Sequence, residues 1–293
     1  MPKVTCFGEV LWDVFPTHKK IGGAPLNVAL RLQSLGINTH MISRIGNDDN
    51  GRDLLKYANE NQLNTNEIQI DDHYKTGIVN VYLNEKGSAS YKIEYPVAWD
   101  KIELTNANIE IVKSSDAFIF GSLACRDEVT KNTLINLLQY ASYKVFDVNL
   151  RPPHYTIELL MDLMKKADFI KCNDEELEEL SIHLKFKSNS LEKQILFLSK
   201  KTNTKHICVT KGKDGALLYI NNQFFNNKGY SVKVVDTVGA GDSFLATLIS
   251  NILQNKDPKE ALNFACAVGA LVAGKEGANP KLLQTEILNF IEV

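Results

Sequence analysis

Short apolar runs that alternate with helical stretches constrain this chain most tightly. Residues 4–7, 117–120, 144–148, 169–172 and 206–210 are each four or five residues long and almost continuously apolar. Segments such as 129–140 and 157–166 carry apolar residues at helical spacing. Strands without polar alternation are buried on both faces, and helical crossovers between them make neighbouring strands parallel. The expectation is an α/β fold with a mainly parallel central sheet covered on both sides. There is no internal repeat, low-complexity tract or Pro/Gly/Ser-rich linker, so all of 1–293 is read as one domain.

One segment breaks this rhythm. From Thr76 to Trp99 the residues alternate as in half-buried strands, with Glu85-Lys86-Gly87-Ser88 as a turn between 78–83 and 89–94. A hairpin spanning about 73–100 could be decoration, a lid over a site, or the surface of a homodimer.

Charge and cysteines remove other classes. A formal net charge of −2 gives no general attraction to nucleic acid or to an anionic membrane. Any phosphate chemistry must come from local positive sites. The five cysteines form no Cys-x-x-Cys pair and lie in or beside apolar runs, as buried free thiols do. Met1-Pro2-Lys3 leads directly into a strand-like run without the apolar core of a leader, and no later stretch is long enough to span a bilayer. A cytoplasmic protein is expected. The six histidines show no metal-ligand spacing.

Two glycine-rich helix starts carry the chemistry. In Gly22-Gly23-Ala24-Pro25-Leu26-Asn27 the proline suits a first helical turn, and the glycines allow close backbone approach to a ligand. Asn27 offers a donor and an acceptor there, useful against a polyol. The plain alternative is a tight loop before an ordinary helix. The second motif is Asp236-Thr237-Val238-Gly239-Ala240-Gly241-Asp242, followed by Phe244, Leu245, Leu248, Ile249 and Ile252 at helical spacing. Amides at such a start favour an anion. The Gly-Lys-Ser/Thr ending of a Walker A loop is missing. A carboxylate beside an anion site is costly unless it holds a proton, a metal or a reacting hydroxyl. Asp242 is therefore the candidate catalytic residue.

In this order and separation the motifs resemble the ribokinase (PfkB-type) family of carbohydrate kinases over essentially the whole chain. Gly8-Glu9 with Asp13 is similar to that family's first strand and sugar-binding aspartate. Residues 22–27 through Gly46-Asn47-Asp48-Asp49-Asn50-Gly51 resemble its first signature, and 236–242 its second. Asn173-Asp174-Glu175-Glu176 resembles its Asn-x-x-Glu motif, and Thr210-Lys211-Gly212-Lys213-Asp214-Gly215 its nucleotide loop. A narrower likeness, to bacterial fructokinases, rests on 8–16, Ala98-Trp99-Asp100, 121–126 and 146–151.

The resemblance implies a ribokinase-like three-layer α/β/α sandwich with a small β-strand lid, and transfer of the γ-phosphoryl group of ATP to a sugar hydroxyl. It implies that Asp242 accepts the hydroxyl proton while the Gly239, Ala240 and Gly241 amides hold the phosphate. Asp13, Gly23, Asn27, Trp99, Arg126 and Arg151 would meet the sugar. Asn173, Thr210, Gly212, Gly215, Gly239, Gly241 and Gly274 would meet ATP. Glu176 would order water around Mg2+, and the Asp236 and Val238 carbonyls could contribute to a monovalent-cation site for K+. Several of these residues have plainer readings: an acidic helix start for Asn173 and Glu176, a hairpin turn for 210–215, surface cations for Arg126 and Arg151. Fructose is the expected sugar, with 2-keto-3-deoxygluconate or another sugar as the alternative. A non-catalytic sugar sensor on the same fold is the reading from a different class.

Overall fold

A computed structural model describes residues 1–83 and 89–291. Its strands are β1 (Lys3–Phe7), β2 (Leu11–Val14), β3 (Lys19–Gly22), β4 (Asn38–Gly46), β5 (Ile68–Asp71), β6 (Gly77–Leu83) and β7 (Ala89–Ile93). The rest are β8 (Ala117–Gly121), β9 (Lys144–Asp147), β10 (Phe169–Asn173), β11 (His206–Thr210), β12 (Ala216–Ile220) and β13 (Gln223–Asn227). Nine form one sheet in the order β13-β12-β11-β10-β9-β8-β1-β4-β5. It is parallel except at one edge, where β12 and β13 run antiparallel.

The apolar runs are strands because both of their faces are covered. Along them, side chains alternate between two cores. Val4, Cys6, Ile119, Val145, Phe169 and Cys208 pack on one face with Leu26, Leu245 and Ala265. Phe7, Phe118, Phe120, Phe146, Ile170 and Ile207 pack on the other with Leu134, Leu163 and Leu198. Three phenylalanines of the second core lie side by side, with ring centroids 6.0 Å (Phe118–Phe120) and 5.2 Å (Phe120–Phe146) apart. Burying each contributes about 1.5–3 kcal/mol. The periodic stretches 129–140 and 157–166 are the helices Glu128–Leu137 and Ile157–Lys166. All five cysteines are buried and unpaired, and no helix among the described residues is long and apolar enough to cross a membrane.

The alternating segment is the antiparallel pair β6–β7; its expected turn at 85–88 lies outside the described residues. It belongs to a second sheet of order β3-β2-β6-β7. Two of those four strands come from 11–22, so this sheet draws on more of the chain than the hairpin near 73–100. Runs of four residues, broken by Pro16 and His18, are too short for an alternation to stand out.

The sheet order sets the site. From β1 the chain builds outward through β4 on one side, then returns to β8 on the other. Ligands bind in the crevice at the carboxyl ends of the strands where such an order reverses. Gly8 and Glu9 follow β1, Asn149 and Arg151 follow β9, and Asn173 ends β10.

Candidate active site

The Ala240–Leu253 helix begins after Gly239, whose φ of 76° is left-handed. A side chain on Gly239 would come within 2.5 Å of the Ala278 carbonyl oxygen. The first i→i−4 bond runs from the Ser243 amide to the Gly239 carbonyl, 2.8 Å. The Gly241 and Asp242 amides precede it and have no acceptor within the helix. The Ala240 amide donates to the Thr237 carbonyl at 3.3 Å.

Asp242 is set into the protein beside those amides and reaches solvent only in part. Burial has the largest influence on its carboxyl and raises it above the usual aspartate range. Lys171, a hydrogen bond from Asn27 Nδ2 (2.8 Å) and Arg151 pull the other way. Helix-start amides alone would make Asp242 a strongly ionised, weak base. Burial acts against that and outweighs Lys171, Asn27 and Arg151, which makes Asp242 a better proton acceptor.

Under this turn lies a buried ion pair absent from the sequence expectations. Lys171 and Asp147 are register partners on β10 and β9, with Lys171 Nζ 3.0 and 3.2 Å from the two Asp147 oxygens. A Cβ on Gly241 would stand 3.5 Å from the same ammonium. Burial opposes the charge on Lys171, but Asp147, Glu176 and Asp242 outweigh it and hold its pKa above the ordinary lysine value. A lysine inside a buried strand was the available signal, since lysine is almost never buried unpaired.

Across the crevice, Asp13 sits on β2, and Gly22 leaves its carboxyl room that a side chain would occupy. Gly23 has a φ of 105°, and a Cβ there would lie 2.5 Å from the Glu9 carbonyl oxygen. Gly23→Ala is therefore expected to destabilise the protein by about 1–3 kcal/mol, read from a denaturant midpoint; an unchanged midpoint would mean that the loop relaxes freely. Burial raises Asp13 to about 6 and Glu9 to about 7, with Arg151 lowering both. Exposed Arg151 thus acts on Glu9, Asp13, Asp147 and Asp242 alike. Glu9 Oε2 is buried with no hydrogen-bond partner among the described residues.

Arg126 and Trp99, both expected against the sugar, pack on each other, and Arg126 pairs with Asp100. Arg126 grips Asp100 with two hydrogen bonds, Nε–Oδ1 2.7 Å and Nη2–Oδ2 2.8 Å, and also donates to the Glu94 carbonyl. Its guanidinium lies 4.0 Å over the Trp99 ring. Asp100 and Trp99 are both fully buried. Trp99 has no exposed face to offer a sugar, and Arg126 keeps only Nη1 unpartnered. The physical reason is Asp100: a buried carboxylate captures the nearest planar cation.

Asn173 and Glu176 form a reciprocal cap on the Asp174–His183 helix, Glu176 N to Asn173 Oδ1 at 2.7 Å and Asn173 N to Glu176 Oε2 at 2.8 Å. Glu176 Oε1 also accepts from the Leu150 amide, 2.8 Å. The plainer reading of this pair is thus present, and it ties the loop after β9 to the helix. Each Glu176 oxygen retains a lone pair that can accept from water. Among the described residues no three His, Cys, Asp or Glu gather as metal ligands.

Thr210, Gly212 and Gly215 form the tight turn of the β11–β12 hairpin, with the Lys211 amide on the Gly215 carbonyl at 2.7 Å. Gly215 is required for packing, since a side chain there would strike the Asn227 and Gly229 backbone, whereas Gly212 faces open space. Gly274 ends the Pro258–Ala273 helix. The Asp236 carboxylate takes the Val238 amide (3.0 Å), the Gly277 amide (3.2 Å) and Lys20 Nζ (3.2 Å), so the 236–238 turn is braced against both the C-terminal loop and β3. Burial would raise Asp236, but these donors hold it below the usual range.

The assembled groups are a poised carboxylate, free helix-start amides and a polar wall with its own carboxylates. Such a set can bind a hydroxylated molecule, hold an anion beside it and take a proton between them. Comparison with known proteins agrees. Fructokinase-1 of Oryza sativa subsp. japonica is 28% identical, over 99% of this chain and 97% of its own. A protein named as a sugar kinase from Pyrococcus horikoshii is 31% identical, over 96% of this chain and 90% of its own; its crystal structure superposes with a TM-score of 0.84 over 98% and 97% of the two chains. Fructokinase of Vibrio cholerae O395, solved with fructose, ADP and calcium ion, has a TM-score of 0.85 at 25% identity over 99% of both chains. A double mutant of it, solved with fructose, ADP and potassium ion, has the same TM-score and identity over 99% and 98%. The family model for pfkB family carbohydrate kinases matches residues 2–285. With fold, site and nearly the whole sequence in agreement, this chain belongs to the pfkB family of carbohydrate kinases.

Proposed function

We propose that this protein is a fructokinase, transferring the γ-phosphoryl group of ATP to a hydroxyl of fructose. The observation that carries the kinase reading is Asp242, held by Asn27 beside the unpaired amides of Gly241 and Asp242. Phosphoryl transfer asks a protein mainly to align two reactants and stabilise charge. The amides hold the transferring phosphate, and Asp242 accepts the hydroxyl proton late in a loose transition state. Asp13 accepts hydrogen bonds from neighbouring sugar hydroxyls, with Gly23 and Asn27 beside it. Thr210, Gly212, Gly215 and Gly274 line the nucleotide side.

A divalent ion, Mg2+, neutralises charge on the phosphates when ATP binds. Glu176 and Asn173 suit its water shell, since Glu176 already holds two backbone amides and has acceptor capacity left for water. The potassium ion in the Vibrio neighbour adds K+ to the proposal, with the Asp236 and Val238 carbonyls as ligands. The β3-β2-β6-β7 sheet is proposed as the lid, and Tyr82 and Tyr91, exposed on it, as part of a homodimer surface.

Charge favours a neutral sugar over 2-keto-3-deoxygluconate. A site for an acid sugar needs a cation free to meet its carboxylate. Arg126 is already neutralised by buried Asp100, and the charge of exposed Arg151 already acts on Glu9, Asp13, Asp147 and Asp242. Fructose should therefore show the higher kcat/KM in side-by-side initial rates with ATP and Mg2+, by tenfold or more, on the order of 1.4 kcal/mol. A higher value for the acid sugar would overturn the fructose assignment and leave the kinase assignment standing.

A further inference from the structure

The Ala24–Ser34 helix carries Asn27 and Arg31 four residues apart, on one face. Both reach the same two segments. Asn27 Nδ2 donates to Asp242 Oδ2 at 2.8 Å, and its Oδ1 accepts from Asn279 Nδ2 at 2.9 Å. One turn along, Arg31 Nε donates to Ser243 Oγ at 3.1 Å and Nη2 to the Pro280 carbonyl at 2.9 Å. Asp242 and Ser243 are consecutive, as are Asn279 and Pro280. The helix thus bridges the anion-binding turn and the C-terminal segment twice. A third contact closes the group, because Ala278 packs where Gly239 lacks a side chain.

The amide orientations along this chain are dictated by chemistry. An ionised carboxylate only accepts, so Asn27 must turn its NH2 group toward Asp242. Its oxygen then points away and needs a donor. Asn27 is buried, and the donor is the Asn279 NH2 group. Asn279 Oδ1 has no partner among the described residues, so nothing on its far side competes for the amide.

We infer that Asn279 is a positioning residue for Asp242, acting through Asn27 by fixing the amide that holds the carboxylate in place. The inference rests on the proposed role of Asp242. It follows that aspartate, the nearest replacement in shape, is worse at position 279 than alanine. A carboxylate there draws the Asn27 NH2 group to itself and turns the Asn27 oxygen onto Asp242, repelling it. Simple packing at 279 demands the opposite order.

Steady-state rates with fructose, ATP and Mg2+ test this for Asn279→Ala and Asn279→Asp, each alone and combined with Asn27→Ala. We expect kcat to fall about tenfold for Asn279→Ala and about a hundredfold for Asn279→Asp, the scale expected when a reacting group is misplaced by about 1 Å. In the two single Asn279 variants both KM values should stay within about twofold of wild type, and thermal midpoints should show every variant folded. With Asn27→Ala present, the two replacements at 279 should become equal within about twofold. The relay is overturned if Asn279→Asp is as active as Asn279→Ala, or if their gap persists without Asn27, which would mark a through-space charge effect. Asp242→Asn separates the two levels. Full activity there overturns the base reading, whereas its loss beside unaffected Asn279 variants overturns the relay alone.

Discussion

Asp242→Asn lowers kcat by about 10² to 10⁴ while leaving ATP affinity within a few-fold of wild type; this is the expected result if Asp242 accepts the hydroxyl proton. Asparagine keeps the shape and the contact with Asn27 but cannot take a proton. On the proposed reading the phosphate is held by backbone amides, which the substitution does not touch, so binding and turnover should separate. The pH dependence has a definite sign. The base works ionised, so turnover falls as the pH drops through the Asp242 pKa. Because burial raises that pKa, the acid limb of kcat lies above the ordinary aspartate value of about 4. In Asp242→Asn that limb disappears. A variant that retained a tenth of wild-type kcat would contradict the assignment.

The second large effect is on stability. Arg126→Met removes the partner of Asp100, a carboxylate with no exposure to water. Breaking a buried pair from one side costs about 3–5 kcal/mol, because the remaining charge stays buried and unpaired. The contact with the Trp99 ring is lost as well. A fall in thermal midpoint on the order of 10 °C is expected for a chain of this size, with the fructose KM nearly unchanged in the protein that stays folded. A raised KM at unchanged stability would show that Arg126 serves the sugar. Arg126→Met with Asp100→Leu should recover part of the lost midpoint, since an apolar pair in place of a buried ion pair is often neutral or better.

The legible parts of this protein were those governed by local sequence. Strands 206–210 and 169–172 could be read because both faces are mostly apolar, Lys171 apart, and the Ala240–Leu253 helix because its small-residue turn leads straight into an amphipathic pattern. Asn27 and Asp242, far apart in sequence, do meet, at 2.8 Å. What sequence could not carry was pairing between distant polar groups. Arg126 reads as a free cation until Asp100 is seen 2.7 Å away, and Trp99 as a sugar platform until the core closes over it. Lys171 against Asp147 and Asn279 against Asn27 depend on register and on the path of the C-terminal segment, which no local pattern encodes. Asp242 itself needed the fold, because burial and helix-start amides act on its proton in opposite directions.

The central claim is chemical transfer, as opposed to sugar sensing on the same fold. Incubating the protein with ATP, Mg2+ and fructose and following ADP and phosphorylated sugar together tests it most directly. The account predicts ADP formation that depends on fructose, in one-to-one yield with fructose phosphate, and that vanishes in Asp242→Asn. Fructose and ATP binding measured without any phosphorylated product would contradict it.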